Sequence, residues 1–288
     1  MEKLIDKTKF ILNKYKLSAN KSLGQNFLIN DAVVENIVDS ADVNKEDLII
    51  EIGPGLGNLT EYLLERAGKV IAIELDNRMI EILQDRFSLY NNFEILNQDV
   101  LKVNLNELIK VNKNNEIKTV KIVANLPYYI TTPIIMKLLE DKLDIESITV
   151  MIQKEVADRL IAIPGDKLSG AITYCVYYYA TSESVTIVES NSFIPEPSVD
   201  SEVIKLTIRK NHPVELKSEE KFFELVKTSF MQRRKTLINS LVNGRIVSNK
   251  DEVKAIFDKL KLDYNIRGEK LTIEQFAELS NYLCNSEI

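Results

Sequence analysis

Apolar residues along the chain fall into two patterns, and the change from one to the other divides the sequence. From residue 48 to residue 153, short continuous apolar runs alternate with stretches whose apolar positions recur at helical spacing. Continuous runs suit strands buried on both faces, and their alternation with helices predicts a parallel α/β sheet. The strands expected are Leu48–Ile52, Val70–Leu75, Phe93–Leu96, Val120–Ala124 and Ile148–Ile152. Between the first two, Asn58-Leu59-Thr60-Glu61 reads as an N-cap with glutamate three residues on, and Gly68 as the glycine that closes the helix. Thr132-Pro133 offers a second helix start, a capping threonine before a proline.

Beyond the fifth strand, Lys154–Ile163 and Ala171–Ala180 are apolar at helical spacing, and two strand-like runs follow, Ser184–Val188 and Glu202–Arg209, joined by ESNSFIPEPSVDS. Past residue 210 no strand pattern remains, and helical segments at roughly 218–230, 232–242, 251–261 and 272–284 follow one another. The expected organisation is an α/β domain over 1–210, with a basic N-terminal tail, and a small helical domain over 211–288.

A chain of 288 residues can bury a sizeable core without disulfides. Its two cysteines, Cys175 and Cys284, sit in apolar runs and read as buried thiols in a reducing compartment. The first residues are charged and no apolar run reaches the length of a membrane span, so a cytoplasmic protein without membrane contact is expected. The net charge of −6 argues against a nucleic-acid partner until its distribution is seen. Residues 1–30 carry six lysines against two acids, and residues 210–288 carry fourteen basic residues against twelve acids, so the remainder holds −12. Basic ends on an acidic body could still hold a polyanion locally, since surface fields act over about 8 Å at physiological salt. Solvated charge on exposed helices is the plainer reading.

Candidate chemistry gathers at the strand ends. Gly53, Gly55 and Gly57 follow the first strand and precede a helix, where missing side chains let a ligand approach the backbone. Their Gly-x-Gly-x-Gly spacing is not the pyrophosphate-cradling Gly-x-Gly-x-x-Gly, and a tight structural turn would look the same. Glu74 ends the second strand twenty-one residues after Gly53, where a doubly wound fold places a ribose-binding carboxylate. Asp99, after the third strand, could accept a hydrogen bond from an exocyclic adenine amine. Either acid alone reads as an exposed loop charge; three consecutive strand ends together point to an adenosine-containing cofactor. The fourth strand leaves through Asn125-Leu126-Pro127-Tyr128-Tyr129. Asn125 and the Leu126 carbonyl could accept both hydrogens of an exocyclic amine, with a base stacked on Tyr128. A proline-broken turn with tyrosines in the core remains open. With His212 the only histidine, a histidine triad or histidine-rich metal site is not expected.

KSLGQNFLIN (21–30), EIGPGLGNLT, NLPYYITTPI, SFIPEPSVDS and FMQRRKTLINSL together resemble the ribosomal RNA adenine dimethyltransferases, from about residue 18 to the end. The resemblance is greatest to their small-subunit (KsgA/RsmA) branch. It implies a class I, Rossmann-like methyltransferase domain of seven mostly parallel strands with a C-terminal helical RNA-binding domain. The implied reaction is S-adenosyl-L-methionine-dependent dimethylation of the exocyclic N6 of two adjacent adenosines near the 3′ end of 16S rRNA. The implied substrate is an immature small ribosomal subunit rather than DNA, approached by a monomer.

Residue by residue, the resemblance puts Asn26, Leu28 and Gly53, with Gly55 of the same turn, around the cofactor. It matches Glu74 to the ribose-binding acid, Asp99 to the adenine acceptor and Asn125 to the residue between cofactor and target amine. Tyr128 and Phe193 match rings that sandwich the target base, with the Leu126 carbonyl as second amine acceptor. Lys14, Lys16 and Lys21 in the tail, and Arg233, Arg234 and Lys235 in the helical domain, are candidates for the RNA backbone. Rival readings are a 23S rRNA adenine dimethyltransferase of the macrolide-resistance type and a non-catalytic RNA-binding ribosome assembly factor. A DNA adenine methyltransferase would more usually carry Asp-Pro-Pro-Tyr at 125–128, and an NAD-dependent dehydrogenase the other glycine spacing.

Overall fold

The structure, a computed structural model, describes residues 3–20, 24–232 and 234–285. Nine strands form among them: β1 Phe27–Leu28, β2 Asp47–Ile52, β3 Lys69–Glu74, β4 Phe93–Asn97, β5 Thr119–Asn125, β6 Ser147–Gln153, β7 Ala180–Val188, β8 Phe193–Ile194 and β9 Ser201–Ile208. Seven make one sheet in the order β4-β3-β2-β5-β6-β9-β7. Neighbours from β4 through β6 run parallel, and β9 is antiparallel to β6. This is the α/β, mostly parallel sheet expected, with each of the five sequence-read strands present. Every position of β2 is buried, and burying side chains such as Ile49 and Ile50 stabilises the fold by about 1.5–3 kcal/mol each.

Contacts divide the chain into two compact units, Met1–Ala157 with Ser182–Ile208, and Asp158–Thr181 with Arg209–Ile288. The expected boundary at residue 210 leaves Asp158–Thr181 on the other side of this division. The reason is the helix Ala171–Tyr179, whose apolar and aromatic run packs on the helix Glu219–Met231. Within that unit the Tyr174 hydroxyl donates to the Leu271 carbonyl at 2.6 Å, and its ring meets Phe276 edge-on. His212 stacks on Tyr178 with ring centroids 4.2 Å apart, a packing role for the lone histidine. Of the two cysteines, Cys175 is buried as expected, whereas Cys284 is half-exposed in the final helix.

Several local readings are corrected. Asn58 does not cap its helix; Gly57, in the left-handed region at φ +84°, does. The Asn58 amide turns inward instead, donating to Thr8 Oγ1 at 2.8 Å and the Leu28 carbonyl at 2.7 Å, which fastens β1 and the first helix to this corner. Gly68 does not end the helix by a left-handed turn; the chain is already extended at Ala67. A Cβ at Gly68 would stand 2.2 Å from the Lys45 carbonyl oxygen, so glycine is needed for close backbone approach. The helix Thr131–Glu140 begins one residue before Thr132, off a 3-10 turn at Tyr128–Ile130, and Pro133 occupies its first turn, where no helical hydrogen bond is lost. The segment read as a helix over 232–242 is helical only at Leu237–Asn243, where the Thr236 hydroxyl accepts from the Asn239 N–H and caps it.

At the amino end of the sheet Lys121 of β5 pairs with Asp47 of β2 at 2.9 Å, both buried. Lys121 also donates to the Asp42 carbonyl at 2.6 Å, while Asp47 accepts from the Asn44 N–H at 2.8 Å. Gly53, Gly55, Glu74, Asp99 and Asn125 lie at the opposite, carboxyl ends of the parallel strands.

Candidate active site

A cleft opens where β2, β3, β4 and β5 end, the position at which open parallel sheets bind ligands. Its wall holds Asn26 and Leu28 from one side, Gly53 and Gly55 from the turn after β2, Glu74 and Asp99 after β3 and β4, and Asn125, Leu126 and Tyr128 after β5. Nine of the sequence-named residues thus meet in one place. Phe193 does not join them. It is 3 % exposed in the hydrophobic core, although β8 pairs antiparallel with β1 and sets Phe193 opposite the cleft-lining Leu28.

The glycine turn shapes the floor. Gly53 and Gly55 both have positive φ, +68° and +56°. A Cβ at Gly53 would rest in ordinary contact with Pro127 at 3.6 Å, so it is the positive φ rather than crowding that favours glycine there. Glu74 is fixed by the turn it serves: its carboxylate accepts from the Gly55 N–H at 3.2 Å and from the Leu75 and Asp76 N–H groups at 2.8 Å. Burial raises its pKa, against the pull of those three backbone donors. Asp99 caps a short 3-10 turn by accepting from the Leu101 N–H at 3.0 Å, with Lys102 3.9 Å from its other oxygen.

Asn125 ends β5 with its amide donating to the Asn26 carbonyl at 3.4 Å, which ties the 24–28 segment across the cleft. Pro127 sends the chain into the 3-10 turn, and its carbonyl accepts from the Ile130 N–H and the Thr131 hydroxyl. The Tyr128 hydroxyl lies 2.7 Å from Ser201 Oγ. Burial raises the Tyr128 pKa, so the phenol stays protonated at neutral pH.

Two polar contributors escaped the sequence reading. Glu51 is 1 % exposed and lines the cleft beside Glu74. It accepts from the Thr60 hydroxyl at 2.6 Å, and burial pushes its pKa up to about 8. The available signal was an acid inside the otherwise apolar run Leu48–Ile52. Gln25 donates to Asp76 at 2.9 Å, and Asp76, held below the usual carboxylate range by Arg78, caps the helix Asn77–Arg86.

The RNA-contact candidates are dispersed. Lys14 pairs with Asp85 at 2.8 Å, and Lys16 is exposed with φ +50°. Arg234 and Lys235 are exposed in the turn before Leu237–Asn243, in the other unit. Lys21 and Arg233 lie outside the described residues.

Comparison with known proteins agrees with this geometry. A ribosomal RNA small subunit methyltransferase A of Clostridium botulinum (strain Okra / Type B1) is 50 % identical over 274 residues, covering 95 % of this chain and 97 % of its own. Among solved structures, a dimethyladenosine transferase from Plasmodium falciparum superposes with a TM-score of 0.74 at 27 % identity, covering 91 % of this chain and 98 % of its own. The 23S rRNA methyltransferase ErmE superposes at 0.66 with 26 % identity, covering 90 % and 100 %. Residues 16–285 match the family described as ribosomal RNA adenine dimethylase. With its strand-end cleft, its glycine turn and its Asn-Leu-Pro-Tyr exit from β5, the chain belongs to the ribosomal RNA adenine dimethylase family.

Proposed function

We propose that this protein dimethylates the exocyclic N6 of two adjacent adenosines near the 3′ end of 16S rRNA in an immature small ribosomal subunit. The observation that carries this reading is the convergence of Glu74, Asp99 and the Asn125–Tyr128 turn on one cleft, in a chain 50 % identical to a small-subunit methyltransferase. S-adenosyl-L-methionine, when bound, would supply an electrophilic methyl group already activated on a sulfonium, so what is left to the protein's own residues is to align the target amine and free its lone pair from conjugation with the ring.

The residues present fit that cofactor. Gly53 lines the cleft with backbone, Glu74 is the carboxylate for ribose hydroxyls, and Asp99 that for an adenine amine. Asn26, Leu28 and Gly55 complete the wall. On the substrate side, Asn125 and the Leu126 carbonyl are acceptors for the target amine. As that nitrogen loses its lone pair to the incoming methyl it gains positive charge, which such acceptors stabilise more than the neutral ground state. Tyr128 offers the face on which an unstacked base rests. Phe193 would serve as a second face only after leaving its core position.

We assign the methyl transfer to the expected 1–210 domain and RNA-backbone binding to the basic tail and the 211–288 helical domain. The exposed Arg234 and Lys235 support the latter. We also infer a monomer acting in the cytoplasm; among the described residues no helix is long and apolar enough to cross a membrane.

The test is transfer of labelled methyl from S-adenosylmethionine to unmodified small subunits, with large subunits and DNA in parallel, followed by nucleoside analysis. Dimethyladenosine in small-subunit RNA alone is the expected result. Label in large-subunit RNA would move the protein to the resistance branch. Cofactor binding with no label anywhere would leave an assembly factor.

A further inference from the structure

The cleft's substrate side is bounded by a turn, not by a regular element. Tyr128 opens a three-residue 3-10 turn between β5 and the following helix, so the local backbone alone leaves its ring direction loosely set. The far end of the ring is anchored elsewhere: its hydroxyl lies 2.7 Å from Ser201 Oγ, seventy-three residues on. Ser201 is a rigid post. It is 0 % exposed, it opens β9, and its backbone stands opposite Gln153 in the β6 ladder. Its neighbour Asp200 is fastened twice more, accepting from the Lys154 N–H on its carbonyl and from the Ser190 N–H on its carboxylate, each at 3.0 Å. The SVDS stretch thus reaches the cleft through one hydroxyl pair.

We propose that Ser201 is a positioning residue that fixes the Tyr128 ring and thereby keeps room for the monomethylated amine, so that the second methyl is added. This rests on the proposed function, in which Tyr128 carries the target base. A dimethylating site must accept the same nitrogen twice, the second time enlarged by a methyl group. A ring held at both ends keeps its wall in one place for both rounds. Freed at the hydroxyl end, the ring can move into the space that the first methyl occupies, and the second transfer suffers more than the first.

The experiment compares wild type with Ser201→Ala, Ser201→Thr, Tyr128→Phe and the Ser201→Ala/Tyr128→Phe double variant. Each is scored for cofactor dissociation constant by calorimetry, kcat and KM on unmodified small subunits, and the ratio of mono- to dimethyladenosine. Ser201→Ala and Tyr128→Phe should each raise the monomethyl fraction and slow the second transfer by about fivefold, as expected for one lost neutral hydrogen bond. Cofactor affinity should stay within about twofold. The double variant should be no worse than either single change, because both remove the same bond. Ser201→Thr, which restores the hydroxyl, should return the ratio toward wild type. An unchanged monomethyl fraction in Ser201→Ala, or additive losses in the double variant, would overturn the proposal. If Ser201→Ala does not fold, Tyr128→Phe carries the test, and an unaltered product ratio there overturns it equally. A wild type that makes no dimethyladenosine would fail the functional reading itself, and the proposal with it.

Discussion

Replacing Glu51 by glutamine separates the charge at the floor of the cleft from its shape. The glutamine oxygen can still accept from the Thr60 hydroxyl, 2.6 Å from the native carboxylate. In the unfolded chain the carboxyl titrates near its ordinary value of 4.5, while in the fold burial pushes it to about 8. Between those values the folded protein holds a proton that the unfolded chain has released, so this group lowers stability as pH rises, by about 1.4 kcal/mol per pH unit. The penalty is absent below the unfolded value and complete above the folded one, where the full span amounts to about 5 kcal/mol. Water reaching the cleft relaxes part of that, leaving a net effect of about 2–5 kcal/mol. The charges facing Glu51 are Glu74 from β3, which opposes its ionisation, and Arg86 from the helix Asn77–Arg86, which favours it. Arg86 is already paired with Glu61 at 2.9 Å, which limits its help. The assay is urea unfolding of wild type and Glu51→Gln across roughly pH 5 to pH 8, with slopes compared to check that the same surface is exposed. The two proteins should be nearly equally stable at the acid end, and the variant should lead by at least about 2 kcal/mol at the alkaline end. Parallel stability curves over the whole range would show that Glu51 does not titrate there, and the account of its burial would be wrong.

Asn125→Ala should keep cofactor affinity, measured by calorimetry, and lose at least about a hundredfold in methyl transfer; turnover within about twofold of wild type would remove Asn125 from the acceptor role. Lys121→Met leaves Asp47 buried without its cation and should cost about 3–5 kcal/mol in denaturant unfolding. Adding Asp47→Asn, which neutralises the stranded acid, should recover much of that loss; no recovery would mean the lysine acts by packing alone. Arg234→Gln with Lys235→Gln should weaken RNA binding and flatten its log-log salt dependence by roughly one to two units, and an unchanged slope would exclude these side chains from phosphate contact.

The sheet was legible because burial on both faces forces continuous apolar runs, so the five parallel strands could be found within a residue or two at each end. The site was legible for a related reason. A sheet of this kind leaves its chemistry at successive strand ends, and Gly53, Glu74, Asp99 and Asn125 occupy those ends in order. What escaped is whatever depends on partners distant along the chain. Asn58 looks like a cap, but its amide is claimed by Thr8 and Leu28, fifty and thirty residues away. Gly68 looks like a helix terminator, yet the Lys45 backbone is what excludes a side chain there. Phe193 sits where the motif pattern expects a stacking ring, but its side chain is buried in the core. Glu51 gave a signal on paper, an acid inside an apolar strand, but its meaning emerges only when the strand's end proves to face a cleft.

The pair Lys121–Asp47 sits at the amino ends of β5 and β2, whereas the cleft acids lie toward the carboxyl ends of β2 and β3 and beyond β4, Glu51 being roughly 13 Å along β2 from Asp47. Buried charge is paired directly at the amino pole of the sheet, while at the carboxyl pole the buried acids Glu51 and Glu74 stand side by side. Errors at the two poles therefore have different fates in a cell. A substitution at the amino pole removes protein, because it lowers the fraction folded and exposes the chain to proteolysis. A substitution such as Asn125→Ala at the carboxyl pole should, on the proposed function, leave the protein abundant but idle. On the proposed function such a molecule still carries the exposed Arg234 and Lys235 with which it would hold RNA without modifying it. Degradation clears a misfolded chain and has no means of recognising a well-folded one that has lost its chemistry.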